Sequence, residues 1–333
     1  MIKATLISEM QKFHLGSKVI YSDGEEGILV HVIFDPSTRR MTSIAAKQGR
    51  FFGKTVNLPF DTVVKASGEG VTLRIKPAEL PASSTAETGG ALLDNKTMVV
   101  RVDSTNKGSL MLVAVQPETG ELVYLVAHNL RPAQDTLIRA EYVTSIETEK
   151  VIVAIPDAIF NALSPYRPDS ALQQEVEAIL FDLTPLHVDM KGITARVLDG
   201  VLYLDGNISS ALRADIVQDQ VLGVQGLLEI RNNLVGDDKL AADLAMALGQ
   251  DPRTRDLPIG VYPRLGVVRL SGAVHTSQQK AAVGEIAQNF PGVRSVINDL
   301  IIDPKANILN VMSSAEGGEA KDIIPGKYVR HTK

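Results

Sequence analysis

The sequence predicts a multidomain chain of β and α+β modules, in which two small β-rich units are followed by two units of the order αββαβ. Three observations predict this. A β-rich stretch recurs 81 positions further on, a mixed helix and strand stretch recurs 66 positions further on, and aromatic residues make up only 5% of the chain, with no Trp. Cores built from Val, Ile, Leu and Ala suit several small modules better than one large pocket, and 333 residues are enough for two to four of them.

The first β-rich stretch spans 15–76. Its runs Lys18-Val-Ile-Tyr, Gly27-Ile-Leu-Val-His-Val-Ile-Phe, Met41-Thr-Ser-Ile, Val63-Val and Gly70-Val-Thr-Leu-Arg-Ile are rich in β-branched residues and lack helical periodicity. Ser22-Asp-Gly and Asp35-Pro-Ser-Thr-Arg supply turn chemistry between them. At the offset of 81, Gly27 falls on Gly108, Pro36 on Pro117, Thr38 on Thr119 and Ile44 on Leu125. After one deletion Asp61 falls on Glu141 and Val71-Thr-Leu-Arg-Ile on Val151-Ile-Val-Ala-Ile, which makes 92–156 a second copy.

Lys18-Val, Asp23-Gly24, Gly27, Asp35-Pro36-Ser-Thr-Arg39 and Leu58-Pro59 together resemble the PRC-barrel family. The resemblance implies a small six-stranded β-barrel. The second copy keeps Gly108 and Pro117-Glu-Thr-Gly but has Ile138-Arg139 in place of Leu-Pro. Residues 1–14 are expected to be an N-terminal extension, and 77–91, rich in Pro, Ser, Thr and Gly, a linker.

A second linker covers 157–169, and from there the period becomes helical. Leu172, Val176, Ile179 and Leu180 share one face, with Ser170 and Gln173 expected to form a capping box. Alternation follows in Ile193-Thr-Ala-Arg-Val and in Gly200 to Gly206, then a helical pattern from Ser210 to Leu222 and a strand from Leu227 to Leu234. At the offset of 66, Ile193 falls on Ile259, Gly200 on Gly266, Gly206 on Gly272, Gly226 on Gly292 and Asn232 on Asn298. Gly266-Val-Val-Arg-Leu-Ser-Gly272 with Pro291 to Leu300 resembles the BON family, giving expected BON units over 170–236 and 237–304 and a tail over 305–333. The resemblance implies association: BON modules are linked to membrane or phospholipid surfaces, and one cytoplasmic group binds potassium.

Chemistry is hard to find in the chain. No cysteine is present, which removes disulfides, thiolate metal sites and cysteine nucleophiles together. The histidines, His14, His31, His128, His187, His275 and His331, are scattered without metal-site spacing and read as structural, His31 in a strand and His275 beside a helix start. Gly326-Lys327 is not a P-loop, and no Gly-x-Ser-x-Gly elbow occurs. No catalytic residue, metal ligand or cofactor is therefore expected. The six glycines of the α/β copies are read as turns and close backbone approaches.

Two surfaces stand out as candidates for partner or membrane binding. Lys47-Gln-Gly-Arg-Phe-Phe-Gly-Lys54 sets the cations Lys47, Arg50 and Lys54 around Phe51 and Phe52 in an expected hairpin, a pattern suited to an anionic surface. The basic tail carries Ile323, Ile324 and Tyr328. Glu9 and Lys12 stand where a secretory signal would place its apolar core, so the expected location is cytoplasmic, peripheral to the inner face of the membrane. A net charge of −5 argues against general nucleic-acid binding. The expected function is a non-enzymatic adaptor or scaffold that binds a protein partner, a membrane surface or another copy of itself. The alternative is a small-ligand or potassium sensor built on the BON units.

Overall fold

The computed structural model describes residues 6–48, 54–76, 90–102, 105–183 and 189–305. Arg50, Phe51, Phe52, Ile323, Ile324 and Tyr328 lie outside them, as do His187 and His331. The chain divides into two compact units. One comprises Met1–Asp182, Ala195–Tyr203 and Gln220–Arg231, the other Leu183–Thr194, Leu204–Asp219 and Asn232–Lys333.

A 3-10 turn at Ile7–Glu9 leads into β1 (Gln11–His14). The β-branched runs of the first repeat then form β2 (Lys18–Ile20), β3 (Glu26–Asp35), β4 (Arg40–Gln48), β5 (Thr55–Pro59), β6 (Val63–Ser67) and β7 (Gly70–Leu73). After β8 (Ala91–Leu93), the second repeat forms β9 (Met98–Arg101), β10 (Lys107–Val115), β11 (Leu122–Arg131), β12 (Gln134–Arg139), β13 (Val143–Glu147) and β14 (Lys150–Val153). The hydrogen-bonded order is β5-β4-β3-β2-β7-β6 in one sheet and β12-β11-β10-β9-β14-β13 in the other, the same path twice. Six strands per repeat are thus present, but the ladders stay open among the described residues. β5 is not bonded to β6, nor β12 to β13, so the expectation of two closed barrels is corrected to two open sheets.

The two sheets exchange strands. β1 precedes the first repeat yet pairs with β10 of the second, Phe13 lying opposite Val113. β8, at the start of the second repeat, pairs with β3 of the first, Leu93 lying opposite Val32, the residue that falls on Val113 at the offset of 81. The β3–β4 and β10–β11 turns also meet: the Met41 N–H donates to the Gly120 carbonyl at 2.8 Å and the Leu122 N–H to the Arg39 carbonyl at 3.1 Å. Phe13 and Leu93 belong to one buried cluster that also takes in Val32, Val113, Leu58 and Ile138. Truncating Phe13 to Ala would therefore cost both sheets, about 3–5 kcal/mol.

The β3–β4 turn is shaped by its own side chain. The Asp35 carboxylate accepts from the Ser37 N–H at 2.9 Å and from the Ser37 and Thr38 hydroxyls at 2.7 Å each. These bonds favour the ionised form, and the Ser37 hydroxyl first among them holds the Asp35 pKa down to about 2. Past the second sheet come α1 (Asp157–Ala162) and β15 (Pro165–Tyr166), which pairs with β12.

The α/β half follows as α2 (Asp169–Asp182), β16 (Ile193–Leu198), β17 (Val201–Ile208), α3 (Ala211–Val221) and β18 (Glu229–Gly236). The same order returns as α4 (Asp237–Gln250), β19 (Ile259–Arg264), β20 (Val267–Val274), α5 (Ser277–Gln288) and β21 (Ser295–Asn298), with β22 (Ile301–Ile302) running on beside β20. Leu240, Leu244 and Leu248 recur one turn apart along α4 and bury against Val268, Leu270 and Val283.

Particular contacts repeat with the sequence. The Asp169 carboxylate accepts from the N–H groups of Asp199 and Gly200 at 2.7 and 2.8 Å, and Asp237 accepts from Leu265 and Gly266 at 2.6 and 3.2 Å. A side chain at Gly206 would collide with the Gly192 carbonyl, and one at Gly272 with the Pro258 carbonyl. Both glycines also have positive φ, 117° and 116°. The expected capping box at Ser170 and Gln173 is corrected: Gln173 reaches across to β16, donating to the Ala195 carbonyl at 2.9 Å and accepting from the Val197 N–H at 2.7 Å. A capping box does occur at Thr276 and Gln279 of α5. Among the described residues no helix is long and apolar enough to cross a membrane.

Candidate interaction surfaces

Of the basic and aromatic loop, the structure places two cations. Lys47 sits at the end of β4 opposite Thr55 of β5, and Lys54 precedes β5, its carbonyl accepting from the Gln48 N–H at 3.2 Å. The two therefore stand at facing ends of the antiparallel strands β4 and β5, and the turn between them lies outside the described residues.

The first α/β repeat uses its sheet for a contact that the sequence reading missed. Asp199 stands in the β16–β17 turn, its side chain only 1% exposed, and accepts from the Gly68 N–H at 3.0 Å. The other carboxylate oxygen lies 2.5 Å from Nε2 of His14. On β18, Glu229 accepts from the N–H and hydroxyl of Ser8 at 2.9 and 2.8 Å. On β16, Arg196 donates to Glu69 at 2.5 Å. Three elements of the β half thus meet this sheet: the 3-10 turn at Ser8, strand β1, and the β6–β7 turn holding Gly68 and Glu69.

Burial sharpens the electrostatics of this contact. Lys12, 3% exposed, lies one residue from Phe13 on β1. Desolvation pulls its pKa down, while Asp199, Glu229 and Asp169 oppose that pull. Burial drives the phenols of Tyr124 and Tyr166 upward, with Asp169 and Asp199 adding to it. Phenols pushed away from ionisation are poor bases, and the three carboxylates offset only part of the desolvation of the buried lysine. The arrangement is an electrostatic clasp. Beside it lies a groove of about 420 Å³ whose walls include Leu137, Arg139, Tyr166 and Leu228. Among the described residues no group of three His, Asp or Glu side chains is placed to hold a metal ion.

The second α/β repeat leaves the corresponding face open. Tyr262 on β19, Arg269 on β20 and Ile297 on β21 lie side by side across the sheet. Tyr262 is 60% and Ile297 43% exposed, since α4 and α5 bury the opposite face. Arg269 pairs with Asp299 at 2.9 Å. A signal for the difference was in the sequence: at the offset of 66, Arg196, Asp199, Glu229 and Arg231 become Tyr262, Leu265, Ser295 and Ile297. Polar anchors give way to apolar or uncharged residues.

Comparison with known proteins places a BON domain at residues 236–304, the span from the start of α4 to the end of the sheet. The chain is similar to osmotically-inducible protein Y of Escherichia coli strain K12, 27% identical over an alignment of 159 positions that covers 43% of this chain and 77% of that protein. Among solved structures it is similar to CdsD, a structural protein of the type III secretion system of Chlamydia trachomatis, at 17% identity and a TM-score of 0.32, covering 44% of this chain and 66% of the other. The C-terminal domain of CdsD gives 19% identity and a TM-score of 0.34 over 47% and 72% of the two chains.

Proposed function

We propose that this chain is a non-enzymatic adaptor whose β half forms the body and whose second α/β repeat presents a sheet face to a protein partner. One observation carries the proposal. The same face is closed by the chain itself in the first repeat and stands open in the second, with Tyr262 and Ile297 exposed side by side. An exposed aromatic and aliphatic pair with a cation beside it is the composition of a protein contact. The BON domain at 236–304 supports the reading of 170–236 as a first BON unit, through the repeated contacts of Asp169 and Asp237. The shared strand path of the two β repeats, with Gly27 and Gly108 at equivalent points, supports reading them as PRC-type units.

The loop of Lys47, Arg50, Phe51, Phe52 and Lys54 is the second contact in this proposal, directed at an anionic membrane at the cytoplasmic face. Each cation near such a surface contributes about 1 kcal/mol, so replacing all three by Ser weakens liposome binding by roughly a hundredfold at low salt. Tail residues Ile323, Ile324 and Tyr328 are a third. The test of the whole reading is affinity capture with the full chain and with the Tyr262→Ser/Ile297→Ser variant. A co-purifying protein lost on the double substitution supports it; capture that is identical for both chains, or absent for both, contradicts it.

A further inference from the structure

The β6–β7 turn that closes the first α/β sheet has a counterpart. The repeat that lays Asp61 on Glu141 also lays Glu69 on Glu149, so the β13–β14 turn from Glu147 to Lys150 stands where the first repeat has Ser67 to Gly70. In the first turn the Gly68 N–H bonds Asp199 and the Glu69 carboxylate meets Arg196. Glu147, Thr148 and Glu149 of the second turn are exposed. This turn is braced, because the Glu149 N–H donates to the Leu92 carbonyl at 3.0 Å and its carbonyl accepts from Met98 at 2.9 Å. It is an ordered acidic projection rather than a loose loop.

The chain thus carries one turn and one sheet face that are engaged with each other, and one turn and one sheet face that are both exposed. The exposed turn brings two carboxylates. The exposed face brings Arg264 and Arg269 beside Tyr262 and Ile297, with Asp299 taking part of the charge of Arg269. We propose that the β13–β14 turn of one copy docks on the β19–β20–β21 face of a second copy, the carboxylates of Glu147 and Glu149 meeting Arg264 and Arg269. This inference rests on the adaptor reading of that face and names a second copy of the chain as its occupant. Because turn and face are different surfaces, the contact is heterologous, and it either closes reciprocally between two copies or extends as a row.

Sedimentation velocity on the full chain across a concentration series, at low and at physiological salt, tests this directly. The wild-type chain associates, and association weakens with salt, since exposed charges are screened within about 8 Å at physiological ionic strength. Glu147→Lys/Glu149→Lys weakens it at least about tenfold by turning attraction into repulsion, and so does Arg264→Glu/Arg269→Glu. Mixing the two double variants restores association, because the lysine turn of one now faces the glutamate face of the other. All four positions are exposed, so the melting temperatures stay within a few degrees of wild type, and either variant alone suffices if the other fails to fold. A wild-type chain that stays monomeric up to about 100 µM, or association that neither double variant alters, overturns the proposal. If the wild-type chain is monomeric while a different captured protein is still lost on Tyr262→Ser/Ile297→Ser, the adaptor reading stands and the second copy is ruled out as occupant.

Discussion

The two α/β repeats share element order and individual backbone contacts, yet one spends its sheet face on the chain's own β half and the other leaves that face to solvent. In the first, Asp199, Glu229 and Arg196 are met by His14 and Gly68, by Ser8 and by Glu69. In the second, Tyr262 and Ile297 are exposed. The difference teaches that residues setting the backbone and residues setting the surface diverge separately: the glycines and the helix-start aspartates are kept, while the outward-facing anchors are replaced.

The glycines give the largest expected effect. Gly206→Ala and Gly272→Ala each force a side chain onto a carbonyl at positive φ, costing about 3–5 kcal/mol in chemical denaturation. Near-equal losses would support a shared framework, and a tolerated change at one site alone would break it.

Asp199→Ala comes next. It strips the Gly68 N–H of its acceptor and Lys12 of a counter-charge, for an expected loss of about 2–3 kcal/mol after allowing for the one-third exposure of His14. Leu265→Ala, at the equivalent point of the second repeat, should cost about 1 kcal/mol. Similar losses at the two positions would mean that the clasp contributes nothing special. Tyr262→Ser changes stability by no more than about 0.5 kcal/mol, because its ring is largely in solvent; a larger loss would show that the face is not open.

The smallest effect concerns acid. Asp35 in the β half is held to about 2 chiefly by the Ser37 hydroxyl, and Asp251 after α4 to about 2 chiefly by hydrogen bonding with Arg253. A carboxylate whose folded pKa is depressed stabilises the fold above its ordinary value of 3.8, and that contribution is lost as pH falls from there toward about 2. Asp35→Asn and Asp251→Asn should each lower the melting temperature slightly at neutral pH, flatten its fall in that window and make no difference below about pH 2. Both groups are fully exposed, so the effect is small, and a shift in acid larger than at neutral pH would contradict this assignment.

Much of the fold was legible in the sequence because repeats need no long-range information. The offsets of 81 and 66 located both duplications, and the positive φ of Gly206 and Gly272 matches the steric reading of those residues. What the sequence did not disclose is non-local. Pairing of β1 with β10 joins residues about a hundred positions apart, and nothing local in Gln11-Lys-Phe-His distinguishes a partner on β10 from one on β3. Ladder closure failed as an expectation for the same reason. Gln173 looked like a capping residue by its spacing, but tertiary contact with β16 claimed its amide. Lys12, placed by the sequence in an N-terminal extension, and His14, read only as structural, gave no sign of the distant carboxylates of Asp199, Glu229 and Asp169 that act on them.

Thiol labelling tests the central contrast most directly, since the chain has no cysteine of its own. Tyr203 and Arg269 occupy equivalent positions on the middle strands β17 and β20, the first half-buried near Glu229 and the second exposed. In dilute native protein, the Arg269→Cys variant should react with a thiol reagent at close to the rate of the unfolded chain, and the Tyr203→Cys variant at least about tenfold more slowly. Equal rates at the two positions, both fast or both slow, would contradict a closed first face and an open second one.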